Sequence, residues 1–220
     1  MPDHLPRLKL AGLAATAALG LALAVQLPAT AQIDASTTTF NEAVRAVKDK
    51  NFRHAVKLFS LQAENNQHDA QYNLAILLEA GKGAPQDFTK ALIWAWSAQL
   101  GGIEAAEKLA EDVSEFVPEK SIESARAAVR ARLEERIEAG NPDAALQFAT
   151  FHLKMLQEPD YETAYIWFSI STALGLEGAL EARDDARGNI EVEKIIDLQG
   201  VAGQIYESLN ITLDLRQGDN

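Results

Sequence analysis

The sequence predicts an all-α protein built as a solenoid of about five helix pairs. Similar segments recur about 36 residues apart and again 73 or 74 residues apart. Apolar residues within these segments follow helical spacing, as at Ala70, Leu74 and Leu78. A period near 36 residues in an Ala-rich chain is typical of stacked helix pairs, which bury their apolar faces against one another.

The first 31 residues have the pattern of a secretory signal peptide. A short basic region precedes an uncharged, Leu- and Ala-rich stretch over 10–27, and Ala29-Thr30-Ala31 provides the small residues of a cleavage site. Cleavage near Ala31 would make the protein periplasmic or secreted and would leave residues 32–39 as a flexible spacer. The alternative is a retained membrane anchor, since about 18 apolar residues just suffice to span a bilayer.

Matched residues define the helix pairs. Residues 51–55 match residues 87–91 at an offset of 36, and Trp94 matches Trp167 at an offset of 73. The units predicted in this way are 40–66, 67–102, 103–140, 141–175 and 176–209, and a C-terminal tail follows over 210–220. The five units together would form one repeat domain over 40–209.

Capping residues indicate where several helices begin and end. Asp87 is typical of a helix N-terminus, and so is Asn141 followed by Pro142. Glycines that suit left-handed helix exits follow the proposed helices, namely Gly81, Gly83, Gly101, Gly102, Gly140 and Gly175.

The composition excludes several kinds of site. The chain has 20 Lys and Arg against 32 Asp and Glu, a net charge of −12, which argues against nucleic-acid binding. It has no Cys, which excludes disulfides, thiolate metal sites and a Cys nucleophile. No pair among the four histidines has the spacing of a helical metal site. We therefore predict no enzyme, with no catalytic residue, no metal and no cofactor.

The histidines and tryptophans fit structural roles. His68 is expected at a helix start, and His152 is expected as a buried imidazole within a helix. Trp94 and Trp167 occupy equivalent positions in two units, which indicates packing between helices. Trp96 lies about 200° around the helix from Trp94, so it either packs against a neighbouring helix or is exposed to a partner.

The unit 67–102 resembles a Sel1-like repeat, a variant of the tetratricopeptide solenoid. The residues that carry the resemblance are Asp69, Ala70, Gln71, Tyr72, Asn73, Leu74, Ala75, the Gly81-Lys82-Gly83 turn, Asp87, Phe88, Ala91, Trp94, Ala98 and Gly102. The unit 141–175 matches less completely and has 155–159 in place of the glycine turn. The resemblance implies a right-handed superhelix with a concave groove. It also implies a non-enzymatic role in holding proteins or peptides together, often in bacterial envelope assembly or signalling.

In tetratricopeptide-like solenoids the first helix of each pair lines the concave groove. The resemblance assigns to this groove Tyr72, Asn73 and Ile76, with Leu146, Gln147 and Thr150 as their equivalents. Asn73 and Gln147 would offer amide groups to an extended peptide, although the same residues are equally consistent with ordinary polar surface. The acidic balance favours a basic segment of an envelope protein as the partner, through electrostatic steering.

Two other functions stay open. One is an envelope hydrolase acting on peptidoglycan or a β-lactam. The other is a scaffold that self-associates through its terminal repeats, because Leu209, Ile211, Leu213 and Leu215 alternate with polar residues and suit an extended segment docked in another chain. Membrane contact is expected only through an uncleaved leader.

Overall fold

The computed structural model describes the backbone of residues 29–209 and the side chains of residues 37–209. Within that range the chain forms ten α-helices and no strand, which confirms the predicted all-α fold. The helices are α1 (Ala29–Lys48), α2 (Phe52–Glu64), α3 (His68–Glu79), α4 (Phe88–Leu100), α5 (Ala105–Ser114), α6 (Glu119–Glu138), α7 (Pro142–Lys154), α8 (Tyr161–Ala173), α9 (Ala179–Arg187) and α10 (Val192–Ser208).

Helix α1 begins earlier than the sequence predicted. It takes in residues 32–39, which were expected to form a flexible spacer. Contacts of Phe40 and Ala43 with the hydrophobic core hold the C-terminal half of α1 in place. No Gly or Pro between residues 32 and 39 interrupts the helix on its N-terminal side. The rest of the predicted leader, residues 1–28, and the tail 210–220 lie outside the described residues.

None of the helices described between residues 29 and 209 has both the length and the hydropathy that a membrane span requires.

The helix contacts show a repeating unit of four helices. The hairpin α3–α4 is followed by α5, which packs on α4, and by α6, which packs on both α4 and α7. The hairpin α7–α8 is followed in the same way by α9 and α10, which both pack on α8. The offsets of 73 and 74 residues seen in the sequence therefore correspond to one four-helix unit rather than to two equivalent pairs.

Alanines form much of the core. Ala55, Ala70, Ala91, Ala144 and Ala164 are fully buried. Small buried side chains of this kind allow packed helix axes to approach closely. Larger residues fill the rest of the core, and the least exposed of them include Phe59, Leu74, Leu92, Phe151 and Ile170.

Side-chain caps begin three of the four helices in the hairpins α3–α4 and α7–α8, namely α4, α7 and α8. Asp87 accepts a hydrogen bond from the Lys90 amide, and Asn141 accepts one from the Ala144 amide, which confirms both predicted caps. Asp160 caps α8 through the Thr163 amide. Each cap satisfies an amide that the first turn of a helix leaves free.

The turn between α3 and α4 touches the preceding helix through its backbone. Gly83 has a φ of +85°, and a Cβ atom added there would lie 2.2 Å from the carbonyl oxygen of Phe52. Only glycine combines this conformation with so close an approach. The ammonium group of Lys82 lies 5.7 Å from the centre of the Phe52 ring on the same side.

The turn between α7 and α8 is attached to the preceding helix by a side chain. The Nε of Arg126, on α6, donates to the carbonyl oxygen of Met155 at 2.7 Å. Arg126 also pairs with Glu119 and Glu123 and lies over the Trp96 ring. Its side chain is 15% exposed, so this attachment lies largely inside the protein.

Candidate functional site

The outward side of α3 carries the three residues predicted for the groove. Ala70, Leu74 and Leu78 are buried on the opposite side. Tyr72 and Asn73 are half-buried and Ile76 is 36% exposed. These three residues are therefore accessible, and their assignment to a binding groove stays a prediction.

The equivalent stripe on α7 contains only part of the predicted set. Leu146 and Thr150 are half-buried and lie on this stripe. The hydroxyl of Thr150 donates to the Leu146 carbonyl at 2.9 Å, and the amide nitrogen of Asn73 donates to the Asp69 carbonyl at 2.7 Å. Both polar side chains are therefore already bonded within their own helices, and a ligand would meet them in that state.

Gln147 is not an accessible amide, which corrects the expectation from its equivalence with Asn73. It is 7% exposed, and its side-chain oxygen accepts a hydrogen bond from Arg136. The reason is tertiary, because α6 packs on α7 and brings Arg136 against Gln147.

Gln147 belongs instead to a chain of hydrogen bonds that joins four helices. Its Nε2 lies 3.4 Å from His68 Nε2, and His68 Nδ1 lies 2.9 Å from the side-chain oxygen of Gln71. The Gln71 amide then donates to the Ala63 carbonyl at 3.1 Å. When His68 is neutral and carries its proton on Nδ1, each side chain in this series accepts a hydrogen bond from the one before it and donates to the next, beginning with Arg136 as a donor. The network links α6 and α7 to the N-terminus of α3 and the end of α2.

Sequence reasoning missed this network. Two of its members are 79 residues apart, and no local pattern pairs them. The one usable signal is Gln71, a polar residue within the apolar pattern of α3, which is 2% exposed. A buried amide of this kind requires partners, and their identity is not visible in the sequence.

A cavity of about 10 Å³ lies beside the network, between Gln71, Ser97, Arg132, Arg136 and Gln147. This volume holds about one water molecule. Polar groups line it on several sides, so a bound water could complete their hydrogen bonds.

Two arginines of α6 approach the same region in different states. Arg132 pairs with Glu64 at 2.7 Å and lies 4.6 Å from the centre of the Trp94 ring. Arg136 bonds to the neutral side chains of Gln147 and Asn141, and no carboxylate oxygen among the described residues lies within 4.0 Å of it. Burial lowers the pKa of Arg136, and the charge of Asp143 opposes that shift only in part.

The tryptophans pack inside the protein, as predicted for Trp94 and Trp167. Trp94, Trp96 and Trp167 are all largely buried, and Trp96 packs under Arg126 of α6 rather than facing a partner. His68 begins α3 as expected.

Between residues 37 and 209, no group of three His, Asp or Glu side chains is arranged to hold a metal ion.

His152 is buried as predicted, but only one of its ring nitrogens is bonded. It is 7% exposed, and its Nδ1 lies 3.2 Å from the carboxylate of Asp160. Its Nε2 has no hydrogen-bond partner among the described residues. Burial alone would raise the pKa of Asp160, but hydrogen bonds from His152 and Thr163 lower it to about 2.

Comparison with known families matches this chain to the Sel1 repeat over residues 68–95 and 151–176. No curated protein matches the chain. Among solved structures it is similar to a protective antigen of uropathogenic Escherichia coli that displays an SLR fold, with 18% identity and a TM-score of 0.38. That similarity covers 87% of this chain and 36% of the antigen, so the chain spans about a third of the antigen's length. The two matched segments lie on the hairpins α3–α4 and α7–α8, so the chain carries two Sel1 repeats.

Proposed function

We propose that this protein is an exported adaptor that binds a protein or peptide segment along the outward stripes of α3 and α7, in envelope assembly or signalling. Sel1 repeats serve protein–protein interaction, so a protein partner is the class that the repeats support. The leader-like pattern of residues 1–31 supports export.

The observation that carries the proposal is the equivalence of the two stripes. Tyr72 and Ile76 on α3 correspond to Leu146 and Thr150 on α7, and all four are partly accessible beside a fully packed core. Mixed apolar and polar surface that recurs on successive units suits an extended segment that contacts each unit in turn.

Charge supports a basic partner segment. The chain carries a net charge of −12, and exposed acids stand at the same place on both stripes, Asp69 and Asp143. Such a surface accelerates encounter with a basic segment more than it tightens the complex. The association rate should therefore fall as ionic strength rises, with a smaller change in the dissociation rate.

Export is tested by the mature N-terminus. The full-length chain, tagged at its C-terminus and expressed in a Gram-negative host, should yield protein that begins at Gln32 when the periplasmic fraction is analysed by mass spectrometry. Protein that keeps residues 1–31 and stays in the cytoplasm would refute export.

The binding surface is tested by position-specific cross-linking. A photoreactive residue at Ile76 or Thr150 should capture the same partner, while one at exposed Ala127 on α6 should not. Purified partner should then bind the unmodified chain and lose affinity for the double variant Tyr72→Ala with Ile76→Ser. Equal capture from Ala127, or unchanged affinity of the double variant, would refute the assignment of these stripes.

A further inference from the structure

Helix α10 carries an exposed apolar band, which consists of Val192, Ile196, Gly200, Gly203 and Tyr206. Val192 is 78% exposed, Ile196 is 72% exposed and Tyr206 is 39% exposed. The spacing of the five residues follows the helical repeat, so they share one side of the helix. A Cβ atom added at either glycine would meet nothing within 4 Å. The described residues therefore leave the two glycine positions open to another segment.

The equivalent side of α6 is polar, so the four-helix unit itself does not require an apolar band. At an offset of 73 residues, Val192 and Ile196 correspond to Glu119 and Glu123, which are both exposed. Terminal units of repeat arrays normally present a polar outer face, because no further unit covers them. An exposed apolar band in such a place is instead typical of a surface that binds another segment.

The band adjoins the side of α10 that corresponds to the α7-covered side of α6. Leu133 of α6 is 4% exposed and lines the small cavity beside Gln147 of α7. The equivalent residue of α10 is Tyr206, which is 39% exposed. Helix α6 packs on both α4 and α7, whereas the main packing partner of α10 is α8. A helix placed on α10 as α7 is placed on α6 would cover Tyr206 and continue the packing of the solenoid.

The charge beside the band is negative. Glu193, Asp197 and Glu207 are exposed next to it, and none of the three forms an ion pair within residues 37–209. The one lysine of α10, Lys194, is paired with Glu162 of α8 at 2.6 Å. The acids beside the band are therefore uncompensated, and their charge complements a basic segment.

We infer that α10 docks an amphipathic helix of a partner protein, with basic residues along the margins of its apolar side. That apolar side packs on Val192 and Ile196, and its Lys and Arg side chains meet the acids beside the band. Gly200 and Gly203 let the two helix axes approach closely, which gives a reason for two glycines inside a helix, where glycine is otherwise unfavourable.

A second copy of this chain is a poorer occupant than a basic helix. Two α10 helices packed on each other would bring acids of like charge together, and each chain has a net charge of −12. The α10 surface is separate from the stripes of α3 and α7 and does not depend on their binding a ligand.

A synthetic peptide tests this assignment. The probe has the length of α7, contains only leucine and lysine at helical spacing, and carries a fluorescent label for anisotropy titration at physiological ionic strength. The purified full chain should bind it. Val192→Ser with Ile196→Ser should weaken binding about tenfold or more, because two large aliphatic side chains lose their burial. Leu61→Ser with Leu180→Ser is the matched control and should keep the affinity, since these leucines are 60% and 55% exposed on other helices.

Two further measurements separate the roles of the glycines and of the charge. Gly200→Gln with Gly203→Gln should weaken peptide binding by a similar factor, although both changes favour the helix itself. Circular dichroism at each titration point checks that the variant stays folded. A probe with glutamate in place of every lysine should not bind.

Several results would overturn the proposal. These are no binding by the unmodified chain, or equal affinities of the Val192→Ser with Ile196→Ser variant and the leucine control. Binding that is lost instead in Tyr72→Ala with Ile76→Ser would place the peptide on the α3 stripe. A chain that is dimeric without peptide, and becomes monomeric when Val192 and Ile196 are replaced, would assign the band to a second copy.

Discussion

The hairpins α3–α4 and α7–α8 both rest their turns on the helix that precedes them, but they do so through different atoms. In the first hairpin, Gly83 brings the turn backbone onto the backbone of Phe52. In the second, the turn has no glycine, and Arg126 reaches to the carbonyl oxygen of Met155. The docked turn is what the two units share, whereas the residues that dock it differ.

A second difference lies where each hairpin closes. Both hairpins have the same backbone bond, from the Asp87 amide to the Leu78 carbonyl at 3.1 Å and from the Asp160 amide to the His152 carbonyl at 2.9 Å. Each hairpin also has a side-chain bond across this closure. In the first, the Gln86 amide donates to the Glu79 carbonyl at 2.7 Å, and in the second, His152 Nδ1 lies 3.2 Å from the Asp160 carboxylate. The first bond joins a side chain to the backbone, whereas the second joins two side chains.

The largest effect is expected at the glycine contact. Gly83→Ala should destabilise the protein by about 3 kcal/mol or more, because the new methyl group meets the Phe52 carbonyl and the residue keeps a left-handed conformation. Urea unfolding would measure the loss. Gly102→Ala is the matched control: its φ is +89° but its Cβ would lie in open space, so we expect about 1 kcal/mol. Equal losses would show that the close approach to Phe52 is unimportant.

The arginine contact of the second hairpin should come next. Arg126→Ala should cost about 2 kcal/mol, since it leaves the largely enclosed Met155 carbonyl without its donor and uncovers Trp96. Arg130→Ala serves as the control, because Arg130 is 51% exposed and makes only a surface pair with Glu134. Its loss should stay below about 0.5 kcal/mol. The same urea titration compares them, and a loss below 0.5 kcal/mol for Arg126→Ala would refute this account of the turn.

The smallest effect is expected at the carboxylate that caps α8. The pKa of Asp160 is lowered from its ordinary value of 3.8 to about 2 in the folded protein, so its stabilising contribution is present above pH 3.8 and is lost as the pH falls towards 2. Because the side chain is 39% exposed, water screens much of this effect, and we expect about 1 kcal/mol for Asp160→Asn at neutral pH.

The pH dependence distinguishes the two hairpins. The stability gap between the native chain and Asp160→Asn should close between pH 4 and pH 2, as followed by thermal unfolding at each pH. Asp87→Asn, at the equivalent cap without a histidine partner, should show a smaller gap. Equal gaps would mean that His152 contributes no more to its cap than Lys90, whose ammonium lies 3.1 Å from the Asp87 carboxylate, contributes to the other.

Much of the candidate surface followed from local sequence. Helical spacing placed Tyr72, Asn73 and Ile76 on the outward side of α3, and the same reasoning placed Thr150 correctly on α7. The same reasoning was wrong for Gln147. Its equivalence with Asn73 takes no account of α6, which packs on α7 and brings Arg136 to the Gln147 side chain. In the first unit the preceding helix leaves Asn73 half-exposed, whereas in the second α6 supplies Arg136.

The sequence by itself determined the helices, the two hairpins and the caps at Asp87 and Asn141. Apolar spacing, capping and glycine exits act within one or two turns, so they are readable without knowing what packs nearby. The tertiary structure decided that α6 packs on both α4 and α7, and with it the attachment of Met155 to Arg126 and the network that reaches His68. Those contacts depend on where a long helix comes to rest, and its position follows from the packing of several units rather than from its own sequence.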